Sequence, residues 1–333
     1  MREETGSHLA YLDGWRGIAV LTVVAGHFLL DENLWNQTSR FGVELFFVLS
    51  GRLMAEILFV RKAPLGTFVL RRFSRIYPAL LAYVVIVSIA AFGSRFENGP
   101  VAALAALTFT LNYAMIYTHQ VALLDHIWSL CVEEHSYIVL AGITLLTRRL
   151  RVAALGIVAA IGVGAFTNGV IQSDLFGRGY FEVLWRSDVA AAGIFLSGAL
   201  WLKVRGRRVP AWIPVLAFAS AILARAMPGA LLSFGLATTL LAIAITTIES
   251  APAIVLRALS DPVVTRIGVW SYSIYLWQQP FYKLNRDGAA PTWLLFCFAA
   301  GCALASFYAV ERPARAFLNA HFQRWVLART AAR

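Results

Sequence analysis

The chain has 333 residues, 59% of them hydrophobic and only 14% charged, with a mean hydropathy of +0.68 and a formal net charge of +11. Apolar runs recur from end to end, which excludes a soluble domain and identifies an integral membrane protein. The surplus Lys and Arg cluster at the ends of those runs, not on a basic face interleaved with aromatics, so the charge does not point to a nucleic-acid partner.

The first apolar run, Tyr11 to Leu30, is YLDGWRGIAVLTVVAGHFLL, and it carries Asp13, Arg16 and His27. An ionisable group in a spanning helix is costly and is expected to face the protein interior or a wet cavity. Arg16 and His27 are eleven residues apart, roughly 16 Å along a helix. One therefore sits near a membrane face and the other well inside. The residues ahead of this run are partly acidic and lack a small-x-small cleavage site, so the first span is expected to be retained, not removed as a signal peptide.

Segments long enough to cross about 30 Å of hydrocarbon follow at 41–60, 76–93, 127–147, 152–170, 183–202, 211–226, 229–248, 263–283 and 292–311, which with 11–30 makes ten. Another apolar stretch, Pro100 to Tyr117, contains Thr108, Thr110, Asn112 and Tyr113. If it crossed, the clusters Arg148, Arg149, Arg151 and Lys203, Arg205, Arg207, Arg208 would lie outside, against the positive-inside rule. With ten crossings and both termini cytoplasmic, 21 Lys or Arg lie inside, seven lie outside, and Arg52 falls within a span. Residues 94–126 then form an outer-face segment, a loop or a re-entrant one, and 312–333 a basic cytoplasmic tail. No internal repeat is visible and no stretch is polar enough for a separate soluble domain. Residues 1–333 read as a single all-α membrane domain.

Cys131, Cys297 and Cys302 lie inside apolar segments, which predicts packing rather than a disulfide framework, and no residue spacing suits a metal. In the first span, His27 is the one group able to act as a general base near neutral pH. The loop RKAPLGTFVLRRFSRIY, Arg61 to Tyr77, places Arg72 and Arg75 at i, i+3, on one face of a helix start. Two guanidinium forks aimed alike suit phosphate; membrane anchoring explains them equally well. In HIWSLCVEEHSY, His126 to Tyr137, Trp128 reads as ordinary interfacial belt, whereas Glu133 and Glu134 sit in an apolar helix and require partners. His27 and Glu133 lie at comparable depths, so a histidine–carboxylate pair is expected between them. In GVELFFVLSGRLMAEI, Arg52 and Glu56 are spaced for an intrahelical ion pair, and Ser50 with Gly51 for close helix packing. Gln278 and Gln279, ahead of Pro280, read first as hydrogen-bonding glue between helices.

Taken in order, LDGWRGIAVLTVVAGHF, FGVELFFVLSG, FVLRRFSRIYP, HIWSLCVEEHSY, SYSIYLW and ERPAR, spread over residues 12 to 315, resemble acyltransferase family 3, the multi-span bacterial membrane O-acyltransferases. The resemblance implies a cytoplasmic-membrane O-acetyltransferase that takes an acyl group from acetyl-coenzyme A or another acyl-coenzyme A as donor substrate, with no bound cofactor. It implies a glycan hydroxyl as acceptor: exopolysaccharide, O-antigen or peptidoglycan. By the same resemblance His27 is the catalytic histidine with Glu133 orienting it, while Arg16, Arg72 and Arg75 hold the donor. Asp13, Ser50, Glu134, Trp128 and Gln278 take supporting places. The family commonly has histidine where this chain has Gln278, and glutamine and phenylalanine where it has His135 and Ser136; Arg52 replaces an apolar residue. Transfer is expected to be completed in the membrane domain or with an outer-face partner protein. A transporter or flippase of a glycan or lipid intermediate, using the same buried charges as a proton relay, is the alternative reading.

Overall fold

The computed structural model describes residues 4–29, 32–118, 121–150, 153–227, 229 and 231–331. Leu30, Arg151 and the two chain ends, to which the expected cytoplasmic placement refers, lie outside the described residues. Among the described residues there is no strand. The helices are α1 Glu4–Leu29, α2 Glu32–Ala55, α3 Leu65–Ala90, α4 Pro100–Leu107, α5 Leu111–Thr118, α6 Trp128–Leu150, α7 Ala154–Val170 and α8 Tyr180–Trp185, followed by α9 Ser187–Ala190, α10 Ala192–Val204, α11 Trp212–Ala226, α12 Ala237–Thr247, α13 Ala253–Leu259, α14 Pro262–Arg286, α15 Thr292–Ser306 and α16 Arg312–Ala331.

Every predicted window carries a helix, but length and apolar composition alone qualify five as membrane-crossing, or six if the pair 234–250 and 253–259, bent by 104°, is one span. The helices α1, α2 and α14 do not qualify, and the reason is the one that makes them informative. They carry ionisable and amide side chains, and α1 packs against both α2 and α14. Polar groups can be tolerated there because neighbouring helices supply partners.

Small residues let these central helices approach. A methyl group on Gly17 would overlap the main-chain oxygen of Val264, and one on Gly268 that of Asp13, so α1 and α14 touch backbone to backbone; Gly14 lies in the same way against Leu259 of α13. Likewise Gly51 of α2 lies against the main chain of Ile194 in α10, which fits the close packing expected at that position. Helix α14 has a well-defined start: the Asp261 carboxylate accepts from the amides of Val263 and Val264, with Pro262 in the first turn.

Between α3 and α6 no described helix is long enough to cross a membrane by itself. Helices α4 and α5 have eight residues each, about 12 Å, and Phe109 adopts a positive φ of 56° where they join. The sixth predicted span begins later than 183, at Ser187, because Arg186 is extended and breaks α8 from α9. Residues 292–322 form one continuous helical rod. Its α16 portion packs on α3, where Ser74 Oγ donates to Asn319 at 3.0 Å, so the predicted tail is a helix over its described length.

The intrahelical Arg52–Glu56 pair does not form. Arg52, 2% exposed, instead donates to Glu249 at 2.5 Å, to the carbonyl of Ile245 at 2.7 Å and to the Tyr11 hydroxyl at 3.1 Å. Its guanidinium also lies 4.4 Å over the Trp201 ring, while Glu56 accepts from Arg61 and Trp201. A long flexible side chain beside three acceptors on two other helices gains more than one held along its own helix. Arg52→Met keeps the volume and removes all three bonds. It is expected to cost about 2 to 4 kcal/mol, read as a lowered thermal midpoint in detergent; an unchanged midpoint would show the cluster to be energetically idle.

Candidate active site

A cavity of ≈ 260 Å³ runs inside the bundle beside α2, with walls from α1, α3, α6 and α14. Its lining on α2 extends from Val43 to Ile57, about 21 Å at helical rise. Phe46, Phe47, Leu53, Met54, Ile57 and Ile76 make it largely apolar, and Arg16, Arg72 and Arg75 make one end cationic. The spacing predicted that Arg72 and Arg75 would share a face, and they do so from within α3, two turns past its start.

The three arginines differ in how they are held. Arg16 donates to Asp13 at 2.9 Å, an ion pair one turn apart on α1. Arg72 is braced by Glu134 at 2.8 and 3.0 Å and by Glu133 at 3.5 Å, and stacks 3.6 Å over the Tyr137 ring. Arg75, part-buried, has no hydrogen bond or ion pair among the described residues; the neighbouring Glu311 carboxylate accepts from Ser273 at 2.7 Å. A guanidinium held at a cavity wall without a counter-ion is a ready site for an anion.

Glu133 accepts from Ser50 Oγ at 2.8 Å in addition to Arg72. It does not meet His27, and the expected histidine–carboxylate pair is thereby corrected: the carboxylates of α6 face the arginine of α3, which carries the charge they need. The His27 ring bonds through Nδ1 to Gln278 Oε1 at 2.7 Å and stacks on Tyr282 with ring centres 4.3 Å apart. Gln278 is thus the orienting partner that sequence reasoning had assigned to Glu133. Trp128 is not interfacial belt either; it is buried, edge-on to Phe47. His135 turns away from the cavity and meets Ser187 Oγ at 2.7 Å.

The cavity stops one helical turn short of His27. Tyr275 closes it, its hydroxyl 2.6 Å from Ser129 Oγ and donating to the carbonyl of His126 at 2.7 Å. Beyond Tyr275, Gln278 leads to His27 on one side and through Gln279 to Asp125 and Lys283 on the other. Tyr275, Asp125 and Lys283 were not singled out from the sequence, although a lysine one helical turn after Gln279 was a visible signal.

The profile of the acyltransferase domain of acyltransferase family 3 matches residues 9–312. The chain is 27% identical over 313 residues to the peptidoglycan O-acetyltransferase OatA of Listeria monocytogenes, covering 82% of this chain and 49% of that one. It is 25% identical over 358 residues to the Bacillus subtilis protein provisionally named peptidoglycan O-acetyltransferase YrhL, covering 91% and 54%, and 27% identical over 326 residues to Staphylococcus aureus proteins provisionally named O-acetyltransferases, covering 86% and 53%. The chain spans about half the length of these curated relatives. No solved structure matches it. With a profile that covers nearly all of its length and a motif order that runs from the first span to the last, the chain belongs to acyltransferase family 3.

Proposed function

We propose that this membrane protein is an O-acyltransferase, in its most concrete form an O-acetyltransferase, moving an acyl group from acyl-coenzyme A to a hydroxyl of a surface or exported glycan. The observation that supports this reading is the cavity: apolar along its length, with Arg16, Arg72 and Arg75 at one end and His27 one helical turn past the other. A donor with several phosphates at one end of a long, thin arm and a thioester at the other has the same distribution of charge. In this reading Arg75 and Arg16 take the phosphates by charge-assisted hydrogen bonds, and Glu133 and Glu134 keep Arg72 turned toward them. The thioester passes Tyr275 to reach His27, which takes the proton of the acceptor hydroxyl as it attacks.

The orientation belongs to the same proposal. The arginine end and both termini lie in the cytoplasm, the chain crosses the bacterial inner membrane ten times, and the acceptor is met at the outer face. Transfer is completed in this domain or by an outer-face partner protein. Peptidoglycan, which the name of the Listeria relative contains, is the first acceptor to try.

Reconstituted protein supplied with radiolabelled acetyl-coenzyme A should release free thiol and label a glycan acceptor. No donor turnover and no donor binding would favour transport of a glycan or lipid intermediate instead. Arg75→Ala is expected to raise the KM for the donor roughly 10- to 100-fold, the loss of a bond to a charged group, with kcat little changed. An unchanged KM would remove Arg75 from the phosphate site.

A further inference from the structure

Beneath His27 the direction of every hydrogen bond is dictated from one end. Lys283 Nζ, which only donates, lies 2.6 Å from Asp125 Oδ2 and holds that group as a carboxylate, which only accepts. Asp125 Oδ1 meets Gln279, so the amide atom there is Nε2. Gln279 then turns Oε1 toward Gln278 at 3.2 Å, and the atom it meets is Gln278 Nε2. That nitrogen also faces the main-chain oxygen of Tyr275 at 3.5 Å, a second acceptor. What remains is Gln278 Oε1, an acceptor, 2.7 Å from His27 Nδ1. Nδ1 must therefore carry the hydrogen.

Amide nitrogen and oxygen are interchangeable in shape, and a hydrogen-bond network decides between them. Here it decides firmly. Reversing Gln279 sets oxygen against the Asp125 carboxylate, and reversing Gln278 sets oxygen against the Tyr275 carbonyl. Gln278 and Gln279 are 1% and 2% exposed, so solvent does not offer substitute donors.

We propose that Asp125, Gln279 and Gln278 form a positioning relay that fixes His27 as the Nδ1–H tautomer and so makes Nε2 its basic nitrogen. The relay rests on the reading of His27 as the base. It has the logic of a carboxylate that orients a catalytic imidazole, with two amides interposed to carry the direction. It also accounts for glutamine where the family resemblance leads one to expect histidine. Once its amide is committed to Tyr275 and Gln279, Gln278 presents His27 with an acceptor alone.

The test reads the tautomer first. In full-length protein labelled with ¹⁵N-histidine, the His27 signals are assigned by their loss in His27→Gln, and the neutral wild-type ring should show its protonated nitrogen at Nδ1. An Nε2–H ring would overturn the relay, and this measurement needs no activity, so inactive wild-type protein would count against the proposed function alone. The second arm is donor turnover. Asp125→Asn, in which an amide can donate to the chain, should lower kcat by at least about tenfold. Adding Gln278→Glu, whose carboxylate accepts directly from Nδ1, should bring the double variant to the level of Gln278→Glu alone. A folded double variant without that rescue would overturn the relay. Should Asp125→Asn fail to fold, the wild-type tautomer decides.

Discussion

His27→Ala is expected to abolish acyl transfer, with kcat for acetyl-coenzyme A turnover falling by about 10²- to 10⁴-fold, the contribution of a well-placed general base. The loss should be confined to chemistry. His27 lies in the last turn of α1, eleven residues from Arg16 and beyond the glycine contacts that seat α1 against α14. Removing the ring leaves Gln278 Oε1 without its partner and Tyr282 without its stacked neighbour, a local change. Arg16, which is proposed to hold the donor, stands roughly 16 Å away along the helix, and Arg72 and Arg75 belong to α3. Donor binding, measured by equilibrium titration, should therefore survive while thiol release and glycan labelling disappear. Full activity in this variant would end the assignment of His27 as base.

Gly268→Ala should be nearly as damaging for a different reason. The added methyl would overlap the main-chain oxygen of Asp13, an atom with no rotamer to yield, while Gly14 on the facing helix is already against the main chain of Leu259. The two helices must part. Overpacking usually costs about 1 to 3 kcal/mol, and contact with backbone puts this site at the upper end. The functional cost comes from the geometry further along the pair. A shift of about 1 Å between α1 and α14 would open the 2.7 Å bond from His27 to Gln278, and misplacement on that scale can cost about 10²-fold in rate. Protein that remains folded should turn over donor about 100-fold more slowly with a lowered thermal midpoint. Gly301→Ala is the control, since nothing lies within 4 Å of a methyl placed there. Equal behaviour of the two variants would show that the α1–α14 contact does not set the site.

Much of this was legible in the sequence because membrane helices announce themselves. Apolar length located a helix in each window, and the stretch 100–117, which positive charge had set apart from the spans, falls on two helices of eight residues each. Arg72 and Arg75 shared a face because i, i+3 spacing guarantees it on any helix. What the sequence could not supply was which helix stands next to which. Counting along the chain put Glu133 and His27 at comparable depths, and depth was all that spacing could give; the neighbour of His27 is Gln278, on a helix that meets α1 through Gly17 and Gly268. Arg52 failed for the same reason. Glu56 was the partner that could be seen along the chain, while Glu249, Tyr11 and Ile245 were brought to it by packing.

The backbone contact between α1 and α14 also has a consequence in time. His27 and Gln278 are 251 positions apart in the chain, so synthesis delivers the imidazole long before its amide partner. Until α14 arrives, the ionisable groups of α1 have no finished interior to face, and a helix carrying them is costly to leave in lipid. A growing chain of this kind is the sort that needs its later parts before its early ones are at rest. Under the proposed chemistry, a ribosome-bound fragment would hold the base without the atoms that settle where its proton sits, and the donor would remain intact until α14 had been laid against α1.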